Sequence, residues 1–325
     1  MENLVLPFKK INKSSVNIAG GKGASLGEMT QTGLAVPPGF VVLADTFDRF
    51  VEEADIVGDI QAELDKVNYK DTNSIDRASN VIRAIIRKTK MPADIQSVIL
   101  KSFKGLGAKF VAVRSSATAE DSKTASWAGE LETYLYVTEK NLLETVKTCW
   151  SSLFTPRAVF YRHEKKLLKT KVSVAVVVQK MVNSEISGIC FTVHPVTKDY
   201  NQMIIEAGYG LGEAIVSGMI TPDSYIIDKK EELILDVAIA KQEKMIVTRG
   251  ASGGTKNATV PKAKQEKQKL AGPKIMELAK LCAKIEKHYK HPQDIEWALE
   301  KPARRGGGGK LYILQSRPIT TLTVK

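Results

Sequence analysis

The chain has 325 residues, enough for about two domains, and its 43% hydrophobic and 26% charged residues belong to a folded globular protein rather than a disordered one. A formal charge of +12 leaves nucleic acid, an anionic membrane surface or a polyanionic small molecule as partners. Nucleic acid is disfavoured, because the lysines are spread along the chain, the dense cluster Lys256 to Lys269 contains no aromatic residue, and aromatics make up only 6% of the sequence. Cys149, Cys190 and Cys282 are widely spaced, with no Cys-x-x-Cys pair, which argues against a zinc site or a disulfide framework and fits a reducing compartment. The N-terminal residues lack the apolar core of a signal peptide, and the longest apolar run, around Val174 to Val178, is strand-sized. The expectation is a soluble cytoplasmic protein with neither a membrane nor a nucleic-acid partner.

In chain order, the pattern predicts a glycine-rich turn from Asn17, a short helix from Ala24 to Thr32 closed by Gly33, and a strand from Phe40 after Pro37-Pro38-Gly39. Helical periodicity fills 45–66 and 75–103. An apolar strand, Phe110 to Arg114, enters a polar loop from Ser115 to Ser126, and the chain returns through Trp127 to Val137. A helix over about 139–167 precedes strands near 173–181, 186–193, 202–207, 224–228 and 233–240. The polar, Gly- and Lys-rich stretch 249–272 reads as a mobile excursion, followed by a helix from Pro273 to Tyr289. A helix-rich first half and a strand-rich second half predict an α+β protein of two lobes, 1–180 and 181–325.

The end of the chain holds two short alternating runs, Pro292 to Glu300 and Lys310 to Ile319, separated by two arginines and four glycines. Such a loop permits strand pairing without fixing its register. Asp294 and Glu296 share one strand face, as do Gln315 and Arg317. An antiparallel register that sets Glu296 opposite Gln315 also sets Asp294 opposite Arg317. One surface then carries two carboxylates, an amide oxygen and a guanidinium, a set suited to Mg2+ beside an arginine that grips phosphate. The alternative is an ordinary cross-strand salt bridge on a solvated face.

Other stretches admit two readings as well. Gly20-Gly21-Lys22-Gly23-Ala24-Ser25 departs from the P-loop pattern because a glycine follows the lysine. It still opens a helix, so its amides and Lys22 can meet an anion, or it is a tight entry turn. Arg114 ends an apolar strand ahead of small residues, as a polyphosphate site needs, or pairs with Glu120 or Asp121. Gly129 and Thr133 lie on the returning segment, where glycine admits close backbone approach and threonine offers a hydroxyl; both are also ordinary strand residues. The strand ending at Gln179 offers an apolar slot for an adenine ring or is simply core. Gly208 to Ala214 lacks the dinucleotide-binding spacing, and the four histidines read as structural.

Taken together, Gly20 to Met29, Val36 to Phe40, Val113 to Asp121, Trp127 to Thr133, Val178 to Val182, Gly210 to Ala214, Asp294-Ile-Glu296-Trp and Gln315-Ser-Arg317-Pro318 resemble the ATP-binding domain of the phosphoenolpyruvate synthase and pyruvate phosphate dikinase family, a domain shared by rifampicin phosphotransferase. The resemblance implies a two-lobed ATP-grasp fold with Mg-ATP as ligand. Lys22, Arg114, Gly129 and Thr133 would contact the phosphates, and Gln179 would lie at the adenine or ribose end. Glu296 and Gln315 would hold magnesium, Arg317 would grip the transferred phosphate, and Asp294 would assist; Lys22, Asp294 and Arg317 form the expected catalytic set. It further implies transfer of the ATP β-phosphoryl group to a histidine on a separate domain or chain, with release of AMP and phosphate. No carrier-type Ser-His motif occurs here, so that histidine is expected in trans or in a longer parent chain. A rifampicin phosphotransferase-type domain and a non-catalytic nucleotide-binding module are the alternatives.

Overall fold

A computed structural model describes residues 3–118, 132–167, 173–302 and 309–320. Two compact units divide the chain: Met1–Gln31 with Pro38–Met181 and Ala251–Gly254, and Thr32–Pro37 with Val182–Gly250 and Thr255–Lys325.

The first unit runs β1 (Val5–Pro7), α1 (Val16–Gln31), β2 (Gly39–Val42), α2 (Ala44–Glu53), α3 (Val57–Asp65), α4 (Thr72–Lys88), α5 (Ala93–Gly105), β3 (Val111–Ala117), β4 (Thr133–Val137), α6 (Glu139–Ser151), α7 (Pro156–Glu164) and β5 (Val174–Lys180). Its sheet has the order β1-β2-β5-β3-β4, with each neighbouring pair antiparallel. Period-2 alternation sends Val111, Val113, Val174, Val176, Val178, Phe40 and Val42 to one face, where they join the helical core around Trp150. Phe50 stacks on Trp150 with ring centroids 5.0 Å apart. α4 shows why such helices pack there. Asp71 caps its first turn by accepting from Asn73 N at 3.0 Å, and Ile75, Ala78, Ile82 and Ile86 form its buried stripe. Full burial of each large aliphatic contributes about 1.5–3 kcal/mol.

The first helix begins earlier than expected, at Val16 rather than Ala24, and three helical runs divide. The 75–103 run is two helices, α4 and α5, because Pro92 cannot continue α4 and instead precedes the first turn of α5. The 139–167 run breaks into α6 and α7 at Thr155-Pro156, where Thr155 caps Ala158 N and proline occupies the first helical turn. The 45–66 run likewise divides into α2 and α3.

The second unit runs β6 (Ser184–Phe191), β7 (Gln202–Tyr209), α8 (Glu213–Val216), β8 (Asp223–Asp228), β9 (Leu233–Ala238), β10 (Lys244–Thr248), β11 (Thr255–Thr259), α9 (Gly272–Tyr289), β12 (Gln293–Glu300) and β13 (Leu311–Pro318). Its main sheet has the order β13-β12-β6-β7-β8-β9, all neighbours antiparallel. α9 buries Ile275, Leu278, Ala279, Cys282 and Ile285 at helical spacing. The sheet face bearing Ile295, Cys190, Ile205 and Tyr225 is fully buried. Antiparallel sheets with segregated helices agree with the α+β expectation.

The stretch 249–272 is not a mobile excursion. It contains β11, which pairs with β10 from Thr248↔Thr255 to Lys244↔Thr259. Beyond it Lys269 is buried, its Nζ donating to Asp223 Oδ1 at 2.7 Å and to Ala240 O at 2.6 Å. Tyr225 OH and the Lys269 amide both donate to Asp223 Oδ2. A polar composition concealed this clasp because the buried charge is fully paired.

Candidate functional site

In the first unit, Gly20 interrupts α1 at φ 67 and ψ 172, so Lys22 sits where the second helical piece begins. The break is held against β3. A Cβ on Gly20 would lie 2.2 Å from Ser116 Oγ, Gly23 N donates to that oxygen at 3.3 Å, and Ser116 Oγ donates to Ala19 O at 3.0 Å. Only glycine combines this positive φ with so close an approach. Arg114 lies two residues before Ser116 on the same face of β3 and is 8% exposed. Register places Thr133 and Val177 opposite Arg114, and Gln179 opposite Ala112, so Arg114, Thr133 and Gln179 share this face, away from the helical core. Glu132 pins the start of β4: its amide donates to Ser115 Oγ at 2.9 Å, and its carboxylate accepts from Arg83 at 2.6 Å and from Tyr134 OH. Gly129, with Glu120 and Asp121, lies outside the described residues.

In the second unit, β12 and β13 adopt the register anticipated from spacing, with Asp294 opposite Arg317 and Glu296 opposite Gln315. The pairing shifts between Glu296 and Trp297, a bulge beside the very residues in question. Arg317 donates from Nε to Asp294 Oδ2 at 2.9 Å, with Nη2 2.8 Å from the same oxygen. The arginine side chain is 45% exposed and the aspartate side chain 14%. Burial pushes the Asp294 carboxyl above its ordinary value; Arg317 opposes that shift and Glu296 adds to it.

Gln315 supplies the most telling atom. The residue is 5% exposed, and its Oε1 is buried with no hydrogen-bond partner. A buried amide oxygen left unpaired costs about 1–3 kcal/mol. Opposite it stands a carboxylate, so the pair fits a hard divalent cation that accepts oxygen ligands. Among the described residues no three His, Cys, Asp or Glu side chains form a metal-holding group. Two protein oxygens, one from Glu296 and one from Gln315, would suit an ion such as Mg2+ that keeps several water or phosphate ligands.

One residue escaped the sequence reading. Glu206 on β7 pairs with Ile189, which pairs with Glu296, so it stands on the same sheet face as the metal-type pair. Its signal was a carboxylate alternating into the otherwise apolar run Met203 to Ala207. The histidines have local roles: His163 stacks on Tyr69 at 3.9 Å, and His194 Nδ1 accepts from Val196 N and Thr197 N.

The sequence profile of the pyruvate phosphate dikinase AMP/ATP-binding domain family matches residues 16–325. The chain belongs to this family. It is 46% identical to a probable phosphoenolpyruvate synthase of Methanocaldococcus jannaschii, over 96% of this chain and 26% of that protein. It is 41% identical to the phosphoenolpyruvate synthase of Pyrococcus furiosus, over 97% of this chain and 43% of that one. The rifampicin phosphotransferase of Bacillus subtilis is 37% identical over 99% of this chain and 36% of its own length. The chain thus spans about a quarter to under a half of these relatives. Among the described residues of this AMP/ATP-binding domain, no helix is long and apolar enough to cross a membrane.

Proposed function

We propose that the chain is the Mg-ATP-binding part of a phosphoenolpyruvate synthase-like dikinase of cytoplasmic location, built as a two-lobed ATP-grasp fold with lobes 1–180 and 181–325. It passes the β-phosphoryl group of ATP to a histidine on a separate domain or in a longer parent chain. AMP leaves, and the γ-phosphoryl group ends on water as inorganic phosphate. The observation that carries this reading is the pairing of Glu296 with a buried, unpartnered Gln315 Oε1, one row from the Asp294–Arg317 pair.

Each residue has a part that its chemistry suits. Glu296 and Gln315 hold magnesium, which when bound offsets negative charge on the phosphate oxygens. Arg317 presents a planar fork to the phosphoryl group being transferred, and Asp294 orients that fork through the Nε bond. Lys22, Arg114, Gly129 and Thr133 hold the remaining phosphates, and Gln179 meets the adenine or ribose end. Arg317, Lys22 and Asp294 form the catalytic set, acting by position and charge rather than by covalent chemistry. Neither nucleic acid nor membrane is a partner in this reading.

A second reading keeps the same site and changes the final acceptor to a rifamycin, supported by the similarity to the Bacillus subtilis enzyme. The test adds a phosphohistidine carrier domain from a relative to the purified chain with ATP labelled at the β-phosphorus. Label on the carrier with matching AMP supports dikinase chemistry. A folded, nucleotide-binding chain that labels no authentic carrier contradicts it and leaves a non-catalytic nucleotide-binding module.

A further inference from the structure

The row that begins at Gln315 continues beyond Glu296: Gln315↔Glu296, Glu296↔Ile189 and Ile189↔Glu206 follow one another across β13, β12, β6 and β7. Directly paired residues of antiparallel strands project from the same side, so Glu206 and Glu296 share a face, with Ile189 between them. At about 4.8 Å per strand, their Cα atoms stand roughly 10 Å apart.

Glu206 is a costly residue where it lies. β7 is an interior strand between β6 and β8, and Glu206 is half-buried with no hydrogen bond or ion pair to its carboxylate among the described residues. Its backbone has little freedom, since a Cβ on neighbouring Gly188 would lie 1.8 Å from Glu206 O. Burial and the charge on Asp294 both push its carboxyl above the ordinary value. Asp294 and Glu296 are further carboxylates on the face that carries Glu206 and Arg317. The buried, unpartnered Gln315 Oε1 on the same face is an independent mark that an oxygen-seeking ligand completes it.

We infer that Glu206 is a positioning residue for the hydrated divalent cation held by Glu296 and Gln315, accepting hydrogen bonds from water ligands on the β7 side of the ion. Its distance suits that role. A Glu296 oxygen, the ion, a coordinated water and a hydrogen bond to Glu206 together span about 7 Å, from metal–oxygen distances of about 2.1 Å and a hydrogen bond of about 2.7 Å. The carboxylate thereby orients the hydrated ion and disfavours phosphate on the β7 side, leaving the Arg317 side for the polyphosphate. This inference rests on the proposed Mg-ATP site.

The test uses the full chain with a non-hydrolysable ATP analogue and Mn2+ as the probe, bound and free metal being measured by electron paramagnetic resonance. Glu206→Gln is expected to weaken Mn2+ binding about tenfold, the lower end of the effect of groups that support metal ligands, with the melting temperature of the metal-free chain unchanged or raised. Glu206→Asp, which keeps the charge, should recover part of the loss. Wild-type Mn2+ affinity in Glu206→Gln, or equal losses in the Asp and Gln variants, would overturn the inference. Glu296→Gln separates the two levels: metal binding lost in this variant but untouched in Glu206→Gln overturns the role of Glu206 alone. Absence of Mn2+ binding by the folded wild-type chain overturns the site and the inference together.

Discussion

Glu296 on β12 faces Gln315 on β13, and Gln315 Oε1 in that pair is buried without a hydrogen-bond partner. In the proposed site the relationship links stability and function through one atom. Without a cation the amide oxygen has lost water and gained nothing; with one it would become a ligand beside a carboxylate.

Gln315→Met therefore has opposite effects on the two properties. The unsatisfied acceptor disappears from a site that keeps its volume, so the metal-free chain gains about 1 kcal/mol in urea denaturation. Metal-dependent ATP binding is lost in the same variant. A destabilised protein with unchanged metal dependence would contradict the assignment.

Glu296→Ala is expected to weaken metal-dependent nucleotide binding more than Asp294→Ala does, because the proposed site assigns Glu296 to the ion and Asp294 to Arg317, which it meets at 2.8–2.9 Å. Parallel calorimetric titrations at several Mg2+ concentrations distinguish them. Equal or reversed losses overturn the order.

At the glycine break of α1, Gly20→Ala forces a side chain into Ser116 and into a positive φ, at a cost of about 2 kcal/mol or more. Gly33→Ala, with a similar φ of 75 but open space around it, costs less, about 1 kcal/mol. Denaturation midpoints compare the pair, and equal losses would mean that the Ser116 contact is unimportant.

The buried clasp of the second unit makes a prediction about the fold alone. Lys269→Met leaves the Asp223 carboxylate buried without its cation and costs about 3–5 kcal/mol, part of which returns in Lys269→Met/Asp223→Asn. A loss under 1 kcal/mol in the single variant would show that the pair is not structurally important.

How far the sequence reveals this molecule depends on the kind of interaction. Period-2 alternation placed Asp294, Glu296, Gln315 and Arg317 on common faces, and pairing of the strands then left few registers, so the register of this part of the candidate site was legible. Strand existence was likewise readable in Val174 to Lys180, where apolar residues run on. Helix boundaries were less so, because Pro92 and Pro156 sit inside continuous apolar periodicity and only their missing amides break it. Lys269 looked like solvent-exposed charge, since its partner Asp223 lies 46 residues away and nothing local announces it. Glu206 was overlooked for a similar reason: its neighbours across the sheet, Ile189 and then Glu296, come from other strands.

The most direct measurement is calorimetric titration of the purified chain with ATP, with Mg2+ and with chelator, repeated for Arg317→Ala. The Mg-ATP assignment predicts binding that requires the metal and falls at least tenfold in Arg317→Ala. No binding by the folded wild-type chain, or equal affinity with and without metal, would contradict it.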